Sequence, residues 1–257
     1  MLMWIQSLDR LLRGESTRLP ALRAGKLEVP AWGFLVLINL LGAIYGICMG
    51  LFAVTPGGSG HAMQIVAAAV KTPALFLLTL MVTFPSLYVF NALVGSSILL
   101  PSVWRLLIAS LAVMLSILSS LGTVVAFFSF TTTSYPFMIL LNVAVFSIAG
   151  LLGLSFLLQT LHRLSSVDTA FPEIVLPSDA EGEKSGPLHK PGEQILAPQV
   201  KVIFRIWVFV FGLVGAQMSW ILRPFIGHPG QPFTWFRHTE SNFFQAVFHA
   251  VLALFSK

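Results

Sequence analysis

"AWGFLVLINLLGAIYGICMGLFA", residues 31–53, contains no charged side chain. Coiled as an α-helix, a stretch of this length covers about 35 Å, enough for the roughly 30 Å hydrocarbon core of a bilayer. A helix apolar on every side has no face to offer water, so it belongs inside a membrane. Four more apolar runs of similar length follow, near 73–95, 104–129, 136–160 and 202–222. Pro30, Pro101 and Pro136 stand beside the starts of the first, third and fourth runs, where a missing N–H breaks no helical bond. Pro85 lies inside the second run, which is expected to kink there and free a carbonyl near Met81.

The composition agrees. Charged residues make up 10% of the 257, against about 25% in a globular chain. Six of the ten carboxylates crowd into 168–193, and the membrane-length runs hold none. The net charge of +5 points to contact with anionic lipid and not to a nucleic-acid partner. A single cysteine, Cys48, excludes an intrachain disulfide and a CxxC site.

These features define an expected fold: all-α, a polytopic integral membrane helical bundle with five transmembrane helices plus N- and C-terminal amphipathic interfacial helices. Residues 1–30 form a basic amphipathic segment, 31–160 a four-helix membrane bundle, 161–200 a disordered loop, and 201–257 the fifth crossing with the C-terminal helix. Five basic residues precede the first run, in the wrong order for a cleavable signal, so that run reads as an uncleaved anchor. Arg163, Lys184, Lys190 and Lys201 follow the fourth. The positive-inside rule therefore puts the N-terminus and the 161–200 loop in the cytoplasm, with the fifth run ending outside at Arg223. Lys71 fits less well, at an outer edge.

In "MLMWIQSLDRLLR" (1–13), Met1, Trp4, Ile5, Leu8, Leu11 and Leu12 share one helical face, as in a helix lying among headgroups. In "SNFFQAVFHAVLALFSK" (241–257) a polar stripe of Asn242, Gln245, His249 and Ser256 marks either an outer interfacial helix or a thin sixth crossing. Trp4, Trp220 and Trp235 are the expected interface anchors.

Small residues recur at helix-packing spacing. Gly42, Gly46 and Gly50 fall four apart, and Ala109, Ala112, Ser116, Ser119 and Thr123 repeat at steps of three and four. Ala149 and Gly153 pair on the fourth run, and Gly212 and Ala216 on the fifth. Such faces let helices approach at backbone distance in lipid, within one subunit or between subunits. The hydroxyls of the third run either line a narrow water path or bond back to their own helix. Asn91, Asn142 and Gln217 are candidate interhelical amides.

No HxxxH, phosphate loop, GxSxG or nucleophile–base pair stands out, so no metal, no cofactor and no enzymatic activity are expected. At the end of the fifth run, Arg223 is either an anchor reaching for headgroups, a partner of Glu240, or a substrate-binding group. Pairing of Glu240 with Arg223 or Arg237 would clamp the C-terminal helix to the outer face.

The stretches "TFPSLYVFNALVG" (83–95) and "GLVGAQMSWILRPFIG" (212–227), with "PF", "FR" and "ESNFF" beyond, resemble a family of uncharacterised multi-span bacterial membrane proteins, some of which carry an actin-binding label. The chain has no LKKT-like segment of the kind such a label requires. The resemblance implies a bacterial cytoplasmic membrane and no particular activity. Span count and orientation are loosely similar to five-span membrane organisers of the Yip type.

The functional expectation is a non-enzymatic, homo-oligomeric assembly in the lipid bilayer, with a pore as one form of it. The alternative is a scaffold recruiting a cytoplasmic protein partner through the N-terminal helix and the 165–198 loop. A small-solute transporter ranks third, because no ionisable coupling residue lies at mid-membrane.

Overall fold

The computed structural model describes residues 2–13, 31–56, 58, 60–93, 100–170, 198–237 and 242–255. Among them the regular elements are all helical. They are α1 (Leu2–Leu12), α2 (Ala31–Gly50) with a 3-10 turn (Leu51–Val54), α3 (Met63–Leu93), α4 (Leu100–Thr131), α5 (Tyr135–Ala170), α6 (Pro198–Ile221) and α7 (Phe243–Phe255). Within them Ala31–Val54, Met63–Val89, Val103–Thr131 and Tyr135–Thr160 are long and apolar enough to cross a membrane. The apolar parts of α6 and α7, Arg205–Ile221 and Phe243–Leu254, are shorter.

Helix α2 is the hub. It packs against α3 and α4, while α4 continues to α5, α3 to α6, and α5 to α7. Its glycine face explains the first of these contacts. A Cβ on Gly46 would collide with the Ala68 carbonyl, and one on Gly42 would sit 2.9 Å from Pro73 Cβ. At Gly50 the same atom would stand 2.7 Å from Ile65 Cα. All three glycines therefore serve packing inside one chain. The backbones of α2 and α3 touch where any side chain would hold them apart.

Elsewhere bulk fills the interior. Phe34, Tyr45, Phe52 and Trp207 are fully buried, and the Tyr45 ring meets Phe146 of α5 edge-on at 5.2 Å. The Tyr45 hydroxyl donates to Asn142 Oδ1 at 2.8 Å, while Asn142 Nδ2 donates to the Met138 carbonyl. The predicted amide at 142 thus links two helices across the core. Gln217 is half-buried, and the Asn91 side chain lies outside the described set. Large apolar side chains such as Met81, Phe127, Leu151 and Phe209 are exposed on the outer surface. Such a surface suits lipid, which is as apolar as the side chains themselves.

On α4 the predicted seam is buried at Ala109 and Ala112, half-buried at Ser116 and Ser119, and exposed at Thr123. Ser116 and Thr123 donate to carbonyls of their own helix, Val113 at 2.7 Å and Ser120 at 2.9 Å. On α5, a Cβ at Gly153 would lie 2.5 Å from Met114 Cβ, so that glycine admits α4.

Two boundaries differ from the sequence reading. Helix α5 runs to Ala170, past the expected end at 160, and most of the predicted loop (171–197) lies outside the described residues. Helix α3 begins at Met63 and passes through both Pro73 and Pro85. Beside Pro85, Ser86 Oγ and Trp207 Nε1 of α6 both donate to the Thr83 carbonyl, at 2.6 Å and 2.9 Å. Pro85 withholds its own donor from the Met81 carbonyl four residues earlier, so the Trp207 bond to Thr83 ties α6 to α3 and does not replace the missing helical bond. The early start carries Lys71 inside the helix instead of at its edge.

Helix α1 lies on α2 and α4. Leu8 and Leu11 are buried there, and Trp4 fills the space above Gly33, where a Cβ would come within 2.7 Å of its ring. Met3, Ile5 and Leu12 remain exposed.

Candidate functional site

Three loops, near 55–62, 132–134 and 222–237, gather at one end of the bundle. The contacts that hold the last of these start from two polar residues of α3 seven positions apart, hence on one face. Gln64 Nε2 donates to the carbonyls of Pro224 at 2.9 Å and Phe225 at 3.0 Å. Lys71 Nζ donates to the Pro224 carbonyl at 3.2 Å and to the Trp235 carbonyl, and it stands 4.9 Å from the centre of the Phe236 ring. Lys71 is only 3% exposed. A buried ammonium needs such acceptors, and here they are backbone carbonyls of the segment that follows α6. Tyr135, at the start of α5, meets His228 of that segment with ring centres 4.5 Å apart. The 222–237 segment is thus tied down over the bundle end.

Beneath it, between α5 and α6, lies a cavity of about 890 Å3. Its floor is Leu75, Phe76 and Thr79 of α3 with Met114 of α4, and α7 borders it through Phe243, Val247 and Ala250. One wall carries Ile139, Val143, Phe146 and Gly150 of α5, and the facing wall Phe211, Gly212, Gly215, Ala216 and Ser219 of α6. The small residues explain the space. A Cβ on Gly212 would meet nothing within 4 Å, and one on Gly150 only Met114 Cε at 3.9 Å. These glycines leave volume, whereas those of α2 remove it. Gly212 and Ala216, expected as a packing or subunit seam, line the cavity instead.

The walls are mainly apolar, with Thr79, Asn142 and Ser147 among them, and the cationic side chains gather at the loop end. Arg223, Arg237 and His228 of the 222–237 segment line the cavity there, and His249 lines it from α7. The Arg223 guanidinium carbon sits 3.8 Å from the centre of the Trp220 ring, a stacked cation–π contact. Trp220 lines the cavity as well, while Trp235 is exposed beside it. Glu240, the partner considered for both arginines, lies outside the described residues. No group of three or more His, Cys, Asp or Glu that could hold a metal occurs among the described residues.

The sequence singled out Arg223, Arg237, Trp220, Trp235, Gly212 and Ala216; the structure gathers the first four at this end and sets Gly212 and Ala216 farther along the α6 wall. Gly42, Gly46, Gly50, Ala109 and Ala112 lie elsewhere, in the packing core. Gln64 and Lys71 escaped notice as functional neighbours. Their signal was the i, i+7 spacing in "QIVAAAVK" (64–71), which falls before the 73–95 run and so outside it.

The four membrane-length helices among the described residues define a multi-pass α-helical membrane protein. No family model, curated protein or solved structure matches this chain. The functional reading therefore rests on the residues of the cavity.

Proposed function

We propose that this chain is a non-enzymatic, five-span membrane protein that holds one amphiphilic molecule, drawn from the surrounding bilayer, between α5 and α6. The observation that carries the reading is the cavity itself. Its volume of about 890 Å3 is at the upper end of the roughly 300–1,000 Å3 of small-molecule sites. Its walls are mainly apolar and its loop end is basic. An apolar lining of this kind offers dispersion contacts to an apolar occupant. Beside a bilayer, acyl chains are the material at hand to make them.

Helix α6 supplies the fifth crossing. It packs along α3, and its charged residues Lys201 and Arg205 sit in its first two turns, where long cations reach a headgroup layer. With the N-terminus cytoplasmic, as the basic residues before α2 favour, the arginine end of the cavity faces outward, at the level of the outer headgroups. The membrane is the bacterial cytoplasmic one that the family resemblance implies.

A homo-oligomeric pore finds less support. Its motive was a surplus of small-residue seams, and three of the four have uses within one chain. Gly42, Gly46 and Gly50 admit α3, Gly153 admits α4, and Gly212 and Ala216 border the cavity.

Native mass spectrometry of protein extracted in mild detergent tests the proposal. Wild type is expected to retain one lipid-sized mass. The double variant Gly212→Phe/Gly150→Leu, which fills the cavity from both walls, is expected to lose it at unchanged thermal stability. Bare wild-type protein, or equal retention by the filled variant, contradicts the proposal.

A further inference from the structure

We infer that the occupant of this cavity is an anionic phospholipid whose phosphate-bearing headgroup is held by Arg223 and Arg237. The inference rests on the amphiphile reading above and adds the charge class of the headgroup. Two guanidinium groups and the His228 imidazole line the loop end, and no carboxylate is among the described lining residues. A site with that balance attracts an anion.

The arginines are also positioned. Arg223 precedes Pro224, whose carbonyl accepts from both Gln64 and Lys71, and its guanidinium is stacked on Trp220. Arg237 follows Trp235 by two residues, and the Trp235 carbonyl accepts from Lys71. The backbone on which each arginine rides is tethered, so little freedom is lost when an anion arrives. A guanidinium offers parallel N–H donors that match two phosphate oxygens.

The size and polarity of the cavity select the source of the phosphate. A free phosphate would satisfy the arginines and leave the apolar walls bare, whereas a phospholipid satisfies both. A choline or ethanolamine headgroup would bring its own ammonium against the two guanidinium groups. A glycerol headgroup has no such cation, so net-anionic phosphatidylglycerol-type lipid fits best.

The test uses the full-length protein in nanodiscs of equal phosphatidylglycerol and phosphatidylcholine, with retained lipid counted by native mass spectrometry. Wild type is expected to keep phosphatidylglycerol over phosphatidylcholine by about tenfold or more, the scale of a single charge-assisted contact. Arg223→Gln/Arg237→Gln is expected to hold both lipids equally at similar total occupancy. Arg223→Lys/Arg237→Lys, which keeps the charge without the fork, should restore part of the preference. Should the double glutamine variant fold poorly, Arg237→Gln alone must lower the preference. Equal retention of the two lipids by wild type overturns the inference while leaving the amphiphile reading in place, and so does a preference that survives loss of both arginines. Retention of neither lipid overturns both.

Discussion

Gly46 and Gly212 both sit in small-residue motifs of apolar helices, yet the same substitution is expected to act on them in opposite directions. In Gly46→Ala the new methyl would meet the Ala68 carbonyl and approach Ala69 Cα to 2.7 Å. Ordinary contact begins near 3.4 Å, so α2 and α3 must part by at least the difference, about 0.7 Å, along a contact that also holds Gly42 and Gly50. A radial gap of about 0.5–1 Å forfeits a quarter to a half of each dispersion well it opens. Overpacking costs roughly 1–3 kcal/mol, against up to about 1 kcal/mol gained from alanine's better helix propensity. Taking the middle of the overpacking range, about 2 kcal/mol, less a gain of up to about 1 kcal/mol, the net expectation is a loss of about 1–2 kcal/mol. In Gly212→Ala the methyl meets nothing within 4 Å, so only the gain remains, a stabilisation of up to about 1 kcal/mol. Reversible unfolding in bicelles or mixed micelles, followed by tryptophan fluorescence, measures both variants under one condition. Equal shifts for the two, or a Gly46→Ala protein as stable as wild type, would refute the distinction between glycines that admit a helix and glycines that leave space.

Three further outcomes follow from the same contacts. Lys71→Met removes the donor to the Trp235 carbonyl, while Gln64 still serves Pro224; amide exchange in 224–237 should quicken by a factor corresponding to about 1.5–3 kcal/mol, and unchanged exchange would show that Lys71 does not hold the segment. Tyr45→Phe deletes the bond to Asn142 Oδ1 and should cost about 0.6 kcal/mol, the average for interhelical bonds in membranes; the effect should vanish in an Asn142→Leu background, and additivity would mean that the two side chains do not act as a pair. For orientation, His61→Cys and Ser134→Cys in a Cys48→Ala background should react with an impermeant maleimide from outside intact cells and Ser185→Cys should not; the reverse pattern would invert the assigned topology. His61 is the better probe of its loop, because a side chain at Gly58 would strike the Phe52 carbonyl.

The helices were legible because a membrane-length run without charge has few other fates. The α2 glycine spacing was legible too, since backbone approach needs the residue type whatever the partner. What the sequence did not disclose is which side of each helix faces the core. In water a polar face marks the outside, but here Leu37 and Ile38 are buried while Leu40 and Ile44 of the same helix are exposed. All four are equally apolar, so periodicity is silent. The start of α3 lies ahead of the 73–95 run, and Pro73, a residue that suits a first helical turn, here stands within the helix. With that start went Lys71, which looked like an edge charge and is a buried tether. Gly212 and Ala216 could not be told from a packing seam, because spacing records that space exists and not what enters it. Arg223 was singled out at the end of the fifth run, but its company of Arg237 and His228 arises from the fold-back of 222–237 over the bundle end.

If a lipid from the bilayer occupies the space between α5 and α6, an image of the purified wild-type protein in lipid nanodiscs will show it. At a resolution that shows side chains, tubular acyl density is expected between Val143–Gly150 and Phe211–Ser219, ending in headgroup density beside Arg223 and Arg237. A map in which α6 closes onto α5, or in which side chains fill that space and no lipid density remains, would contradict the account.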